Sequence, residues 1–302
     1  MSVLPGHLDE QLEHGRLLRL QGYRGRFAPS PTGAMHLGNL RTALVSWLRA
    51  RLANGIWLLR VDDLDKPRNR EGSVESVQQD LRWLGLDWDG VMVLQSQRRW
   101  IYTAVLSFLK RQRKLYACRC SRRMLAELAV SDEHRLLYPG TCRDLSLSWG
   151  WHEGRLPSWR LRVNQQFSNS SGDVVLRRAD GFIAYHLATA VDELTLGITE
   201  VVRGRDLADA MPAQLAVIEA MAQQPMAYRH VPLLCDEQGR KLAKRDGGAG
   251  LESLRAQGMG PEEIVGQLAA SLKLINPGEA LSAKELLSDL SQKQELLQAI
   301  LS

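Results

Sequence analysis

Apolar residues recur with a helical period through NLRTALVSWLRARLANG, at positions 40, 43, 44, 47, 48 and 52, and Asn54-Gly55 supplies a stop. IWLLRV (56–61) follows as an unbroken apolar run, the pattern of a strand buried on both faces. YRGRFA, upstream of the helix, reads as a short strand. Strand, crossover helix and strand predict a βαβ unit in a parallel sheet. Ser73 stands where it would cap a helix with apolar positions 74, 77, 81 and 84. Another helix is predicted over 98–114, with 101, 105, 108 and 109 on one face. Residues 1–22 show no clear period and are expected to form a poorly ordered extension. The segment 116–172 changes character: short strand signals, three cysteines and three tryptophans mark it as an insertion. Strand and helix patterns resume over 173–250, with a turn at Asp180-Gly181. The tail 251–302 is Leu/Ala-rich and helical, broken at Asn276-Pro277-Gly278.

The chain has 302 residues, enough to bury a sizeable core, and carries a formal charge of +5. That balance suits a polyanionic partner without requiring one. No apolar run approaches the ~20 residues of a membrane span. The N-terminus lacks the basic-then-apolar order of a signal peptide, so a cytoplasmic location is expected. Of the four cysteines, Cys118, Cys120 and Cys142 crowd together. In a reducing compartment such clustering favours a metal over disulfides. Cys235 lies apart and is expected to be a lone buried thiol.

Two stretches carry candidate chemistry. In RFAPSPTGAMHLGN (26–39), a proline-stiffened turn leaves the first strand and places His36 at the mouth of the long helix. Ligands on parallel sheets bind beyond the strands' carboxyl ends, and a helix N-terminus there favours an anion such as phosphate. Gly33 lets backbone approach a ligand, and the first-turn N–H groups at Gly38 are expected to face it. Far downstream, GRKLAKRDGG (239–248) puts Lys241 and Lys244 in a glycine-flanked loop. Alone it reads as a solvated basic turn; beside a phosphate site it would neutralise charge on a departing pyrophosphate.

Together these stretches bear a resemblance. PSPTGAMHLGN is similar to the HIGH signature of class I aminoacyl-tRNA synthetases, with Asn39 in place of a final histidine, and KLAKR is similar to their KMSKS loop. RFAPSPTG, VDDLD, DGFIAYHLATAVDE and VVRGRDL resemble the glutamyl-tRNA synthetase branch. The similarity spans about residues 24–275. It implies an α/β fold: a Rossmann-like parallel sheet with a zinc-binding insertion and a C-terminal helical subdomain. The expected division is an extension 1–22, a catalytic domain in two halves, 23–115 and 173–250, the insertion 116–172 and a helical subdomain 251–302. So little chain follows Lys244 that no separate anticodon-binding domain is expected. This resembles the short paralogue of the branch, which activates L-glutamate with ATP and attaches it to queuosine in the anticodon of tRNA(Asp). A monomer is expected.

The resemblance also implies residue roles. Glutamate would sit against Arg26, Phe27, Ala28, Pro29 and Ser30, with Asp62, Tyr185 and Arg203. Arginine is the natural partner for its side-chain carboxylate, because the guanidinium fork matches it bidentately. The family usually has glutamate where this chain has Asp62, so that contact would be longer or water-bridged. ATP would lie over Gly38 and Asn39 with its phosphates near Thr32 and His36, and Lys241 and Lys244 would complete the catalytic set. Mg²⁺ on the polyphosphate is expected, with no dedicated carboxylate cage.

Cys118 and Cys120, one residue apart on an extended strand, face the same way, and Cys142 follows the turn YPGT. Three thiols suggest one tetrahedral zinc. The chemistry leaves the fourth ligand open among His134, His152 and Tyr138, and histidine is the commoner donor. The resemblance favours Tyr138 through the pattern CRC…YPGTC. Three rival functions stand beside this: a truncated glutamyl-tRNA synthetase charging the tRNA 3′ end, a catalytically lapsed RNA-binding paralogue, and another HxGH-type nucleotidyltransferase for a small acid, against which the cysteine-bearing insertion and the glutamate-type motifs argue.

Overall fold

The computed structural model describes residues 6–128, 131–132, 135–234 and 250–301. The chain divides into two compact units, each built from separate stretches of sequence.

The first unit comprises Met1–Leu18, Gln97–Gly197 and Asp209–Pro225. Its helix Arg99–Arg111 turns Ile101, Val105, Phe108 and Leu109 inward, as the period predicts. An antiparallel sheet follows, with Leu115–Cys118 beside Ser158–Leu161 and that strand beside Val174–Arg177. Helices Tyr185–Thr195 and Met211–Ala220 pack on each other. Arg98 and Tyr102 both bond the fully buried Asp192 carboxylate at 2.8 Å.

The N-terminal stretch differs from expectation: Gly6–Leu20 is a helix. Its apolar period is weak, but Leu8 and Leu12 are buried. Gly15 lies so close to the 185–195 helix that a Cβ would stand 2.0 Å from the Leu194 carbonyl oxygen. Tertiary packing therefore holds a helix that its own sequence signals only faintly.

The second unit comprises Arg19–Ser96, Ile198–Ala208 and Met226–Ser302. Parallel strands Arg24–Phe27, Ile56–Val61 and Val93–Leu94 pair in that order, with Arg26 opposite Leu58 and Phe27 opposite Leu59. A second parallel pair, Glu200–Gly204 with Ala227–Val231, adjoins the first strand, where Thr199 donates to the Arg24 carbonyl at 2.9 Å. Helix Leu37–Leu52 covers this sheet and buries Leu40, Ala43, Leu44, Trp47 and Leu48. Each fully buried leucine contributes about 1.5–3 kcal/mol relative to exposure. Asn54 ends the crossover at φ +50°, as the Asn-Gly stop predicts. Arg49, near the helix's end, grips Glu200 with two bonds of 2.9 and 2.7 Å, and the Tyr23 hydroxyl donates to the same carboxylate. Helices Pro261–Ser271 and Ala283–Ser291 also pack on Leu37–Leu52 and share its core.

A smaller correction concerns Ser73. It is the first residue of helix Ser73–Trp83, and Gly72, at φ +73°, takes the cap position. Left-handed backbone there favours glycine, so Ser73 moves one place into the helix.

Candidate functional site

The turn after Arg24–Phe27 is fixed by its backbone. Asp62 donates its N–H to the Pro29 carbonyl and Arg70 to that of Pro31, both at 2.9 Å. Thr32 donates to Ser30 at 2.9 Å. Gly33 sits at φ +125°, a region L side chains rarely adopt. The chain thus reaches His36 along a path set by the exit of the second strand.

His36 is the N-cap of Leu37–Leu52. Its Nδ1 accepts from Gly38 N at 3.1 Å and from Asn39 N at 3.3 Å, while Asn39 Oδ1 accepts from His36 N at 3.4 Å. This corrects one expectation. The first-turn N–H groups of Gly38 and Asn39 are occupied by the His36 ring and do not stand open to an anion. With Nδ1 accepting, the ring proton belongs on Nε2, which becomes the donor that the helix N-terminus presents. Asn39, the departure from the signature, completes the reciprocal cap. A Cβ on Gly38 would lie 3.0 Å from both Nδ1 and Cε1 of His36, so glycine admits the ring.

Deeper in this unit, Arg26 is buried and donates to the Val202 carbonyl at 2.8 Å. The Phe27 ring stacks on Trp57 in the core, so only its backbone faces the turn that carries Ala28, Pro29 and Ser30. Asp62 is ion-paired with fully buried Arg60 at 2.8 Å. Arg203, 3% exposed, donates from Nε to His230 Nε2 at 3.2 Å, and its guanidinium lies 5.0 Å over the Tyr228 ring. Burial, then the charges of Arg203 and Arg205, hold the His230 imidazole below its ordinary pKa. It is therefore a neutral acceptor that fixes the guanidinium. Tyr185 belongs to the other unit, where it opens helix Tyr185–Thr195, 37% exposed and edge-on to His186.

Lys241 and Lys244 lie outside the described residues, as do His134 and Cys235. On the near side of 235–249, Arg41 donates to the Pro232 carbonyl. On the far side, Gly250 bridges His36 and Leu251 donates to the Met35 carbonyl at 3.3 Å. Pro232 and Gly250, the one before and the other after that stretch, thus both touch the His36 helix or its cap.

In the first unit the sulfurs of Cys118, Cys120 and Cys142 lie within 4.8 Å of one another. The Tyr138 hydroxyl joins them, 3.4 Å from Cys118 and 3.8 Å from Cys120, and accepts from Cys142 N at 2.8 Å. His152 is absent from this group; its imidazole is surface-exposed, 3.7 Å from Glu153. Burial alone would raise the Cys118 thiol, but the Tyr138 hydrogen bond and the Arg160 charge outweigh it and bring it to about 7. Cys120 is pushed up to about 12 by burial and its Cys142 and Cys118 neighbours. Burial and the Cys118 hydrogen bond likewise raise Tyr138. One thiolate forms readily and then opposes the others, an opposition that a central divalent cation would cancel. The donor set fits a metal.

Sequence reasoning missed the residues that hold these groups. Arg160 lies 3.7 Å over the Tyr138 ring. Buried Asp173 accepts from Tyr116 at 2.6 Å and Val163 N at 2.9 Å and is ion-paired with Arg143, beside Cys142. Arg60 and His230 stand behind Asp62 and Arg203 in the same way. No motif marks them; Arg160, Asp173 and His230 show themselves only through tertiary contact, and Arg60 through a pairing two residues along the chain.

A two-sheet parallel core with a histidine-capped crossover helix, and an insertion carrying a cysteine cluster, defines a class. Residues 23–147 and 153–283 match the family of class I tRNA synthetases (E and Q), catalytic domain, and the chain belongs to that family. It is 70% identical over 300 residues to the glutamyl-Q tRNA(Asp) synthetase of Prochlorococcus marinus (strain MIT 9313), covering 99% of this chain and 98% of the relative. It is 59% identical over 291 residues to that of Parasynechococcus marenigrum (strain WH8102), covering 96% and 97%. Among solved structures it is similar to a glutamate tRNA ligase from Elizabethkingia meningosepticum CCUG26117 in complex with its amino acid, with TM-score 0.73 and 26% identity. That match covers 88% of this chain and 64% of the ligase. No helix among the described residues is long and apolar enough to cross a membrane.

Proposed function

We propose that the protein activates L-glutamate with ATP and transfers it to the queuosine base in the anticodon of tRNA(Asp), in the cytoplasm. The carrying observation is 70% identity across 98% of a relative that bears the name of this activity.

The chain's groups suit the first step. Buried Arg203, oriented by His230, would hold the substrate's side-chain carboxylate, with Arg26 and the backbone of 27–30 shaping the site. Asp62 would take the ammonium, with Arg60 holding the carboxylate in place. The α-carboxylate attacks the α-phosphorus of ATP and the bond to pyrophosphate breaks. His36 Nε2–H would donate to a phosphate oxygen beside Thr32, Gly38 and Asn39, while Lys241 and Lys244 neutralise the leaving charge and Mg²⁺ rides on the polyphosphate. Positioning and charge stabilisation supply most of such a rate. In the second step a queuosine hydroxyl attacks the glutamyl carbonyl and AMP leaves. Zinc held by Cys118, Cys120, Tyr138 and Cys142 would serve structure, closing the insertion's fold.

The test uses tRNA(Asp) from queuosine-competent and queuosine-deficient cells, each with and without its 3′ adenosine, and radiolabelled glutamate. Label should enter queuosine-bearing tRNA even without the 3′ adenosine and should not enter the unmodified form. Label that required the 3′ adenosine and ignored queuosine would replace this reading with 3′-end charging.

A further inference from the structure

A pocket of about 450 Å³ opens in the first unit between helix Arg99–Arg111 and the antiparallel sheet, away from the cysteine cluster's sulfurs. Its volume falls within the about 300–1,000 Å³ of ligand-sized clefts. Trp149 and Trp159 wall it, edge-to-face with centroids 4.9 Å apart. Arg99 and Arg177 line it, and the Lys110 ammonium lies 4.1 Å from the Trp149 ring centre and 4.9 Å from that of Trp159. Arg177 reaches the Trp159 ring at 5.2 Å.

Two features set this pocket apart. No acidic side chain lines it. Among the described residues, none of these three cations has a carboxylate partner, whereas Arg98, Arg143, Arg162 and Arg178 of this unit do. Lys110 and Arg177 lie over the aromatic walls, whose ring faces partly offset their charge, and Arg99 adds a third like charge to the same cleft. A ligand complementary to that surface brings negative charge and a flat π-face together. The geometry points to a subsite for an unpaired RNA nucleotide, its base against the indoles and its flanking phosphates on Arg99, Lys110 and Arg177.

Free amino acid does not match, because the pocket offers no acid for an ammonium. A duplex does not either, since its bases are stacked away, whereas single-stranded loops splay bases onto aromatic side chains and run their backbone along cations. The inference rests on the reading that tRNA is the second substrate and locates part of its grip in the unit that carries the cysteine cluster.

The experiment measures binding of fluorescein-labelled, queuosine-bearing tRNA(Asp) to full-length protein and to Lys110→Glu, Arg177→Glu and Trp149→Ala, across a salt series. Lys110 is exposed and, among the described residues, its side chain makes no hydrogen bond or ion pair, so its reversal is the variant least able to disturb folding; melting temperature and circular dichroism check all three. Each charge reversal should weaken binding about tenfold or more and flatten the salt dependence by about one counterion per contact. Trp149→Ala should weaken it with the salt slope unchanged. Thio-uridine crosslinking of the wild type should attach loop nucleotides to the peptide holding Trp149. Wild-type affinity and slope in both charge variants, with glutamate still transferred to tRNA, would overturn the pocket and leave the tRNA reading standing. A wild-type protein that neither binds tRNA nor transfers glutamate to it would overturn both.

Discussion

His36 Nδ1 accepts the backbone N–H of Gly38 at 3.1 Å, so the helix that follows is capped by the residue proposed to meet ATP. Cap and donor are the two nitrogens of one ring. The hydrogen bonds at Nδ1 fix the tautomer and the aim of Nε2.

Gly38→Ala separates these roles from the histidine itself. The added methyl would stand 3.0 Å from the ring, tighter than a Cβ normally tolerates, and would turn the imidazole. Glutamate-dependent ATP–pyrophosphate exchange should fall about tenfold or more while thermal stability changes little. His36→Ala should lose about 1 kcal/mol of cap stability and on the order of 10²–10³ in exchange rate. Exchange at the wild-type rate in Gly38→Ala would show that ring orientation is immaterial.

Arg203 and His230 make a second coupled pair, with a pH signature. His230 has a folded-state pKa below its unfolded value, so the unfolded chain binds the extra proton first. Its contribution to stability is complete above about 6.5 and declines as pH falls below that value. Protonation also removes the Nε2 acceptor that aims Arg203. The KM for glutamate should therefore rise on acidification, with kcat less affected, and His230→Gln should raise KM at neutral pH and flatten this limb. Aspartate should exchange poorly, because its shorter side chain cannot reach Arg203 while its α-groups stay in place. Equal use of aspartate would remove Arg203 from the specificity role.

The βαβ core was legible because its period is strong: the strand over 56–61 and the stop at Asn54 stand where the pattern puts them. The cysteine trio was legible from spacing, and the structure brings its sulfurs together. The N-terminal helix was hidden, since Leu8 and Leu12 gain meaning only once a partner surface exists. The His36 cap was hidden for a related reason. A helix N-terminus announces open N–H groups, and nothing in the letters says that an imidazole will occupy them. Asp173 and His230 act across sequence separations that no local pattern spans, whereas Arg60 reaches a residue only two places on, a contact no motif marks.

The cysteine cluster predicts one zinc per chain in protein purified without chelator. Cys120→Ala should lower both zinc content and melting temperature, because a metal bound only by the folded state stabilises it. Tyr138→Phe removes the hydroxyl that lies among the sulfurs and should weaken zinc retention, whereas His152→Ala should leave it intact. Full retention in Tyr138→Phe with loss in His152→Ala would reverse the ligand assignment, and metal analysis showing no zinc would dismiss the site.

Asp173 tests how that cluster is supported. Its carboxylate is 3% exposed on the side chain and joins three elements: Tyr116 on the strand leading to Cys118, Arg143 beside Cys142, and the backbone of Val163. Tyr116 stays a phenol, its pKa raised by burial and by the hydrogen bond to Asp173. Removing the carboxylate leaves a buried phenol and a half-buried guanidinium without their acceptor; each buried group left unsatisfied costs about 1–3 kcal/mol, and solvent reaching Arg143 softens the loss of the ion pair. Asp173→Ala should therefore lower the melting temperature more than Cys120→Ala does in zinc-free protein, where the metal's contribution has already gone. It should also release zinc faster to a competing chelator, since the strand ending at Cys118 and the turn holding Cys142 both lose their tie. A variant that melts as the wild type and holds zinc as tightly would show that the cysteines position themselves, with Arg160 over Tyr138 as the remaining support.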